Sequence, residues 1–130
     1  MQETRYSLRA LARLIAYPDA QLRSELDALL QVLDDEDAVP AKRRSELRAF
    51  TTSLLRQNPL EVEARYVETF DRGRSTSLHL FEHVHGDSRD RGPAMIDLVQ
   101  TYEKAGLFLG PEELPDHLGV VLEFASTQPP

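Results

Sequence analysis

The chain has no cysteine, which removes three chemistries together: a disulfide framework, a thiolate metal site and a cysteine nucleophile. No apolar run approaches the roughly 18 residues needed to cross a bilayer. The first residues, Met1 to Tyr6, do not follow the basic-then-apolar order of a secretory leader. Internal repeats, low-complexity tracts and period-two alternation are missing as well. Neither a phosphate-cradling Gly-x-x-x-x-Gly-Lys loop nor a His-Glu-x-x-His metal motif occurs. A cytoplasmic location without membrane insertion is the expectation.

Basic charge is scarce in one region. Of the 22 Asp and Glu and 15 Lys and Arg, residues 82–130 hold nine acids and three bases, a net of −6 against −1 for residues 1–81. Such a field repels phosphate backbones, so no nucleic-acid partner is expected, and it speeds encounter with basic partners. A chain of 130 residues can bury one real core and is short for two, so 1–130 reads as a single domain.

What the sequence does have is helical period. Leu8, Leu11, Leu14 and Ile15 form one stripe, and Leu22, Leu26, Leu29, Leu30 and Leu33 a second. The acid run Asp34–Asp37 reads as a solvated loop. Pro40 suits the first turn of a third helix carrying Leu47, Phe50, Leu54 and Leu55. Asn58-Pro59 reads as cap and first residue of a fourth, burying Leu60, Ala64, Val67 and Phe70. Leu78–Val84 reads as a short helix, with Asp87 or Ser88 capping the next, which carries Met95, Leu98, Val99 and Tyr102. Pro115 would open a last helix with Leu118, Val121 and Leu122. The expected fold is all-α, a single compact bundle of about seven helices.

Between the fourth and sixth of these helices lies an unusual density of polar residues. His79 and His83, at i and i+4, would share a helical face with His85, Glu82 and Asp87 nearby. A small metal-dependent enzyme using His79, His83 and His85 is therefore one reading. Histidines that cap helices or bond to backbone are the plainer one. Ser75, Ser77 and Ser88 lack nucleophile-elbow glycines, and Glu82–His83 and Asp116–His117 would be acid–base pairs only if the fold joined them. A peptide groove accounts for more: Tyr66, Phe70, Leu80 and Phe81 are apolar anchors beside Glu68, Asp71, Glu82, Asp87 and Asp90, suiting a basic amphipathic helix. At helical spacing the same aromatics read equally as core. A third reading is a purely structural module that dimerises through its last helix.

Three segments carry a resemblance: Tyr66-Val-Glu-Thr-Phe-Asp71, Ser77-Leu-His-Leu-Phe-Glu-His-Val-His-Gly-Asp-Ser-Arg-Asp-Arg-Gly92, and Glu113-Leu-Pro-Asp-His-Leu118. In them the chain resembles the NarJ-type nitrate reductase molybdenum-cofactor assembly chaperones, within the TorD/DmsD family of redox-enzyme maturation proteins. The similarity runs from about residue 60 to 124, and earlier residues agree only in helical pattern. It implies an all-helical, non-enzymatic chaperone that binds the N-terminal segment of the nitrate reductase catalytic (alpha) subunit. Such a protein assists molybdenum-cofactor insertion and complex assembly while holding no cofactor or metal stably itself. Carried over by position, the implied client surface is Tyr66, Phe70, Asp71, Leu80, Phe81, Glu82, His83, His85, Asp87 and Asp90, with Glu113, Asp116 and His117 at a hinge beside it. Two departures stand out. Gly119 falls where relatives commonly carry proline, which predicts a looser start to the last helix. Relatives also continue with further C-terminal helices, so the chain reads as truncated, with one flank of the groove missing and a homodimer as one way to cover it.

Overall fold

A computed structural model describes residues 3–129; Met1, Gln2 and Pro130, on which the leader and truncation expectations partly rest, lie outside the described residues. The chain folds into helices α1 (Arg5–Leu14), α2 (Ala20–Glu36), α3 (Ala41–Arg56), α4 (Pro59–Tyr66), α5 (Leu80–Val84), α6 (Arg91–Lys104) and α7 (Leu118–Ser126). The all-α expectation holds. Among the described residues the only β-type pairing is a single antiparallel bridge between His79 and His117. No described helix is long and apolar enough to cross a membrane.

The second leucine stripe forms the centre. Asp19 caps α2 by accepting the Leu22 N–H at 2.8 Å, and the helix buries Leu22, Leu26, Leu30 and Leu33. Leu30 and Leu33 meet Ala10 of α1, with Leu11, Leu14, Val39 and Leu47 packed half-buried around them. Each such leucine contributes about 1.5–3 kcal/mol of burial.

The first stripe turns out differently. Leu8, Leu11, Leu14 and Ile15 are only half-buried, whereas α1 fully buries Ser7, Ala10 and Ala12. The cause is that α1 lies between α2 and α7, and α7 answers with Gly119, Val120 and Ser126. Small residues on both sides let two helices pack closely. The Arg9 Nε–H donates to Ser126 Oγ at 3.3 Å across this contact.

The acid run is helix, not loop. Asp34 pairs with Arg48 at 2.6 Å, and α2 continues through Glu36 before Asp37 closes it in the left-handed conformation, φ 54°. Glu36 accepts the N–H groups of Tyr6 at 3.1 Å and Ser7 at 2.7 Å. These are first-turn donors of α1, whose N-cap residue Thr4 makes no side-chain cap bond. Burial alone would raise the Glu36 pKa, but the hydrogen bonds from Ser7 and Tyr6 outweigh it and hold the carboxyl below its ordinary value.

Helices α3 and α4 also depart from expectation. Phe50, Leu55, Leu60 and Ala64 face solvent, and the fully buried positions are Thr51 and Val62. Helix α3 packs on α2, so only its inner edge is covered.

Glu36→Ala should lower stability by about 1 kcal/mol, the usual worth of a cap. Asp35→Ala, one residue away and exposed, should change it by less than ~0.5 kcal/mol. Urea denaturation followed by circular dichroism measures both.

Candidate functional site

Helix α4 is capped by Asn58, whose side chain accepts the Leu60 N–H at 2.9 Å. It then widens into a π-helical turn, Val67–Asp71, closed by Arg72 N–H to the Val67 carbonyl at 3.1 Å. Such turns shift side chains out of α register and recur at functional sites. Tyr66 donates its hydroxyl proton to the Ile15 carbonyl at 2.7 Å, and its ring meets Tyr17 and Phe70 at centroid distances of 5.7 and 4.8 Å. Burial first, then the Asp71 charge, raises the Tyr66 pKa. Tyr66 and Phe70 thus form an aromatic group fastened to the end of α1. Asp71 is exposed. Beyond it Gly73 is required, because a Cβ there would lie 2.6 Å from the Thr69 carbonyl oxygen, to which the Thr76 hydroxyl donates.

His79 does not sit on a helix. Its backbone is extended (φ −92°, ψ 110°) and α5 starts one residue later, so His79 and His83 do not share a face. The α5 N-terminus has no side-chain cap of its own. Asp116 supplies one from 35 residues away: its carbonyl accepts the Leu80 N–H at 2.9 Å and its Oδ2 accepts the Phe81 N–H at 3.0 Å. The adjoining bonds are Leu118 N–H to the Leu78 carbonyl at 2.7 Å and the Tyr102 hydroxyl to the Pro115 carbonyl at 2.7 Å. Tyr102 is 1% exposed and Asp116 0%. Asp116 therefore acts as a brace that fixes α5 and is shielded from any partner. Its Oδ1 faces His79 Nδ1 at 3.6 Å, longer than a hydrogen bond.

His117 performs the matching task for α7. Its Nδ1 accepts the Gly119 N–H at 3.0 Å, so the last helix begins at Leu118 rather than at Pro115. The expected looseness at Gly119 is absent: the residue is buried and its N–H, which proline would lack, completes the cap. Burial first, then the neighbouring His79, lowers the His117 pKa below the ordinary 6.5, against the opposing charges of Asp116 and Asp71.

The remaining candidates spread over the connection. Glu82, only 16% exposed at its side chain, is held by Arg74 and by Arg91 at 3.2 Å. The hydrogen bond from Arg74 lowers its pKa, burial opposes, and the charges of Arg74 and Arg91 add to the lowering. Arg74 also reaches Asp87 at 3.1 Å. The exposed His83 donates from Nε2 to the Ser77 carbonyl at 2.8 Å, and His85 stands edge-on to Phe81 at 5.0 Å. The three histidines of the metal reading thus face three different neighbours, Asp116, the Ser77 carbonyl and Phe81. Among the described residues no group of three His, Asp or Glu converges as metal ligands. Asp87 and Ser88 do not cap α6; that position is Asp90, in helical conformation and without a side-chain cap bond. Glu113, exposed, accepts the Gly110 N–H at 2.8 Å. The structure therefore joins Leu80, Phe81, Asp116 and His117 in one cluster and Glu82 with Asp87 in another. Sequence reasoning did not assign Arg74 and Arg91 to the site; two arginines bracketing Glu82 and Asp87 in the chain were the available signal.

The fold and the site define an all-α bundle whose second and third motif segments meet at a buried Asp–His brace. The chain belongs to the family described as nitrate reductase delta subunit, whose model matches residues 17–129. It is 45% identical over 119 residues to the nitrate reductase molybdenum cofactor assembly chaperone NarJ of Escherichia coli K12, covering 92% of this chain and 50% of that one. Identity to the probable chaperone NarW of the same organism is 44% over 122 residues, covering 94% and 50%. To the probable chaperone NarJ of Bacillus subtilis it is 34% over 120 residues, covering 90% and 62%. The chain spans about half the length of the E. coli relatives it matches. By their names these relatives are assembly chaperones rather than catalysts.

Asp116→Ala should cost about 1–3 kcal/mol, because it strands the Phe81 N–H, and should speed hydrogen exchange at Leu80 and Phe81. Asp116→Asn, which keeps an acceptor, should cost less. The His117 pKa is lower folded than unfolded, so between the two values the unfolded chain binds more protons. Stability should then fall as pH drops through about 6.5 toward the folded value. His117→Asn, a good cap that does not titrate, should flatten this part of a urea-midpoint profile from pH 7.5 to 5.5.

Proposed function

We propose that this protein is a cytoplasmic, non-enzymatic chaperone for a respiratory nitrate reductase. It binds the N-terminal segment of the catalytic (alpha) subunit and holds that subunit while its molybdenum cofactor is inserted and the complex assembles. The observation that carries the reading is the 45% identity to E. coli NarJ across 92% of the chain. The cofactor is cargo destined for the client, and the chain's own residues act by holding polypeptide. Two features of the structure support a peptide partner: apolar side chains open to solvent, among them Ile96, Phe108 and Leu114, and the −6 charge of residues 82–130. Burial of the first would give affinity, and the second would give encounter rate and selection for cations.

Calorimetric titration with a peptide of the first ~20 residues of the catalytic subunit, about 30 Å as a helix, tests the reading. Saturable binding that weakens from low to moderate salt is the expected result. Absence of binding at either salt concentration would overturn it.

A further inference from the structure

In the histidine-rich connection two acids, Glu82 and Asp87, are already paired with arginine: Glu82 is held between Arg74 and Arg91, and Asp87 is taken by Arg74. The opposite condition holds further along the chain. From residue 92 to 130, Lys104 is the only Lys or Arg, against Asp97, Glu103, Glu112, Glu113, Asp116 and Glu123.

The same region carries an open apolar groove. Met95, Ile96, Val99, Leu114 and Pro115 line a hollow of about 380 Å³. Val99, Leu107, Phe108 and Pro115 line another of about 300 Å³. The two share Val99, Glu103 and Pro115, so they form one trough along α6, walled by the 107–115 connection. Ile96, Phe108 and Leu114 are 59%, 71% and 50% exposed at its edges. Glu103 lines both hollows and Glu113 the second. The Glu103 carboxylate forms no ion pair among the described residues, whereas Glu113 accepts only the Gly110 N–H. Helix α6 is fastened to the rest of the chain along the edge that adjoins the trough, through buried Tyr102 against Phe124 at 4.9 Å and the Pro115 carbonyl, while Ile96, Gln100 and Glu103 beside it are exposed. Its outer face is left open.

We infer that this trough, rather than the histidine-rich connection, receives the apolar face of a cationic amphipathic helix, with Glu103 and Glu113 meeting its Lys or Arg side chains. A stripe at i, i+4, such as Met95 and Val99, presents the ridge that an incoming helix packs against. Carboxylates at the margin then fix its orientation by charge. The histidine-rich connection keeps a different task, carrying the α5 end of the brace whose Pro115 forms part of the trough wall. That the occupant is the N-terminal segment of the client subunit rests on the chaperone reading; its chemistry does not.

Two probes separate the two claims: the client's N-terminal peptide, and a model Leu/Lys amphipathic helix beside its Leu/Glu counterpart. Ile96→Ser with Phe108→Ser changes exposed side chains and leaves charge untouched. It should weaken both the client peptide and the Leu/Lys helix by roughly tenfold or more, the effect of losing interface anchors. Phe50→Ser with Leu60→Ser, equally exposed apolar residues elsewhere, should leave both within about twofold. Glu103→Gln should reduce the salt dependence, and the Leu/Glu helix should not bind. Binding of the Leu/Lys helix through the trough without binding of the client peptide would sustain the groove and remove the client. Client binding indifferent to the Ile96/Phe108 pair, or failure of wild type to bind either cationic probe, would overturn the inference.

Discussion

The Asp116 carboxylate at the N-terminus of α5 is the interaction on which the rest of the site depends. A helix of five residues has almost no independent stability, because the cost of nucleating a turn is not recovered over so short a length. Its first N–H groups must find acceptors, and its own preceding residue, His79, offers no side-chain cap. Asp116 provides two, one from the backbone and one from the side chain. Since it is 0% exposed, these bonds form in a poorly hydrated setting, where an unmade bond is costly and a charge-assisted one is strong. Short helix, extended His79 and buried acid therefore stand or fall together.

The brace is also continuous with the core. Pro115 receives the hydroxyl of Tyr102 from α6, and His117 starts α7 by accepting the Gly119 N–H. Helix α7 then packs closely on α1 through small residues, and α1 rests on the leucines of α2. The N-terminus of α1 repeats the device, since Glu36 at the end of α2 satisfies the donors of Tyr6 and Ser7. Two helices whose N-cap residues make no side-chain bond are closed by carboxylates from elsewhere in the chain. Each contact is worth about as much as an ordinary cap, but each also fixes where one helix lies relative to another, which a local Ser or Asn cap would not do.

This non-local capping explains which features were legible in the sequence. The stripe Leu22, Leu26, Leu30 and Leu33 could be read directly, because large side chains with one period and one cap, Asp19, give a local signal. Helix α1 misled, since its most buried positions are Ser7, Ala10 and Ala12, whose size matters only once α7 is known to lie against them. The run Asp34–Asp37 looked like a solvated loop because its partners, the N-terminus of α1 and the arginines of α3, are distant in sequence. His79 and His83 had helical spacing, yet the bridge to His117 pulls His79 out of the helix. The resemblance implied a hinge beside the client surface at Asp116 and His117, and the fold places them at the starts of α5 and α7. That Asp116 works by being buried is visible only in the fold. Arg74 and Arg91 were not assigned to the site because attention to acids and histidines as ligands left no place for cations that neutralise them from within.

The placement of charge sharpens the distinction between scaffold and surface. A carboxylate already bonded to arginine has its field largely cancelled at a distance, so Glu82 and Asp87 add little to the attraction felt by an approaching cation. Asp97, Glu103, Glu112 and Glu123 meet no cation among the described residues, and Glu113 only a backbone N–H, so their charge acts outward. That attraction extends over about 8–10 Å at ordinary salt and is screened beyond it. Apolar contact acts only once water is displaced and is nearly indifferent to moderate salt. A partner drawn by the first and retained by the second needs both on one face, and along α6 the two coincide. The histidine-rich connection, with Glu82 and Asp87 held by Arg74 and Arg91 and its α5 end tied down by Asp116, is built to hold a shape.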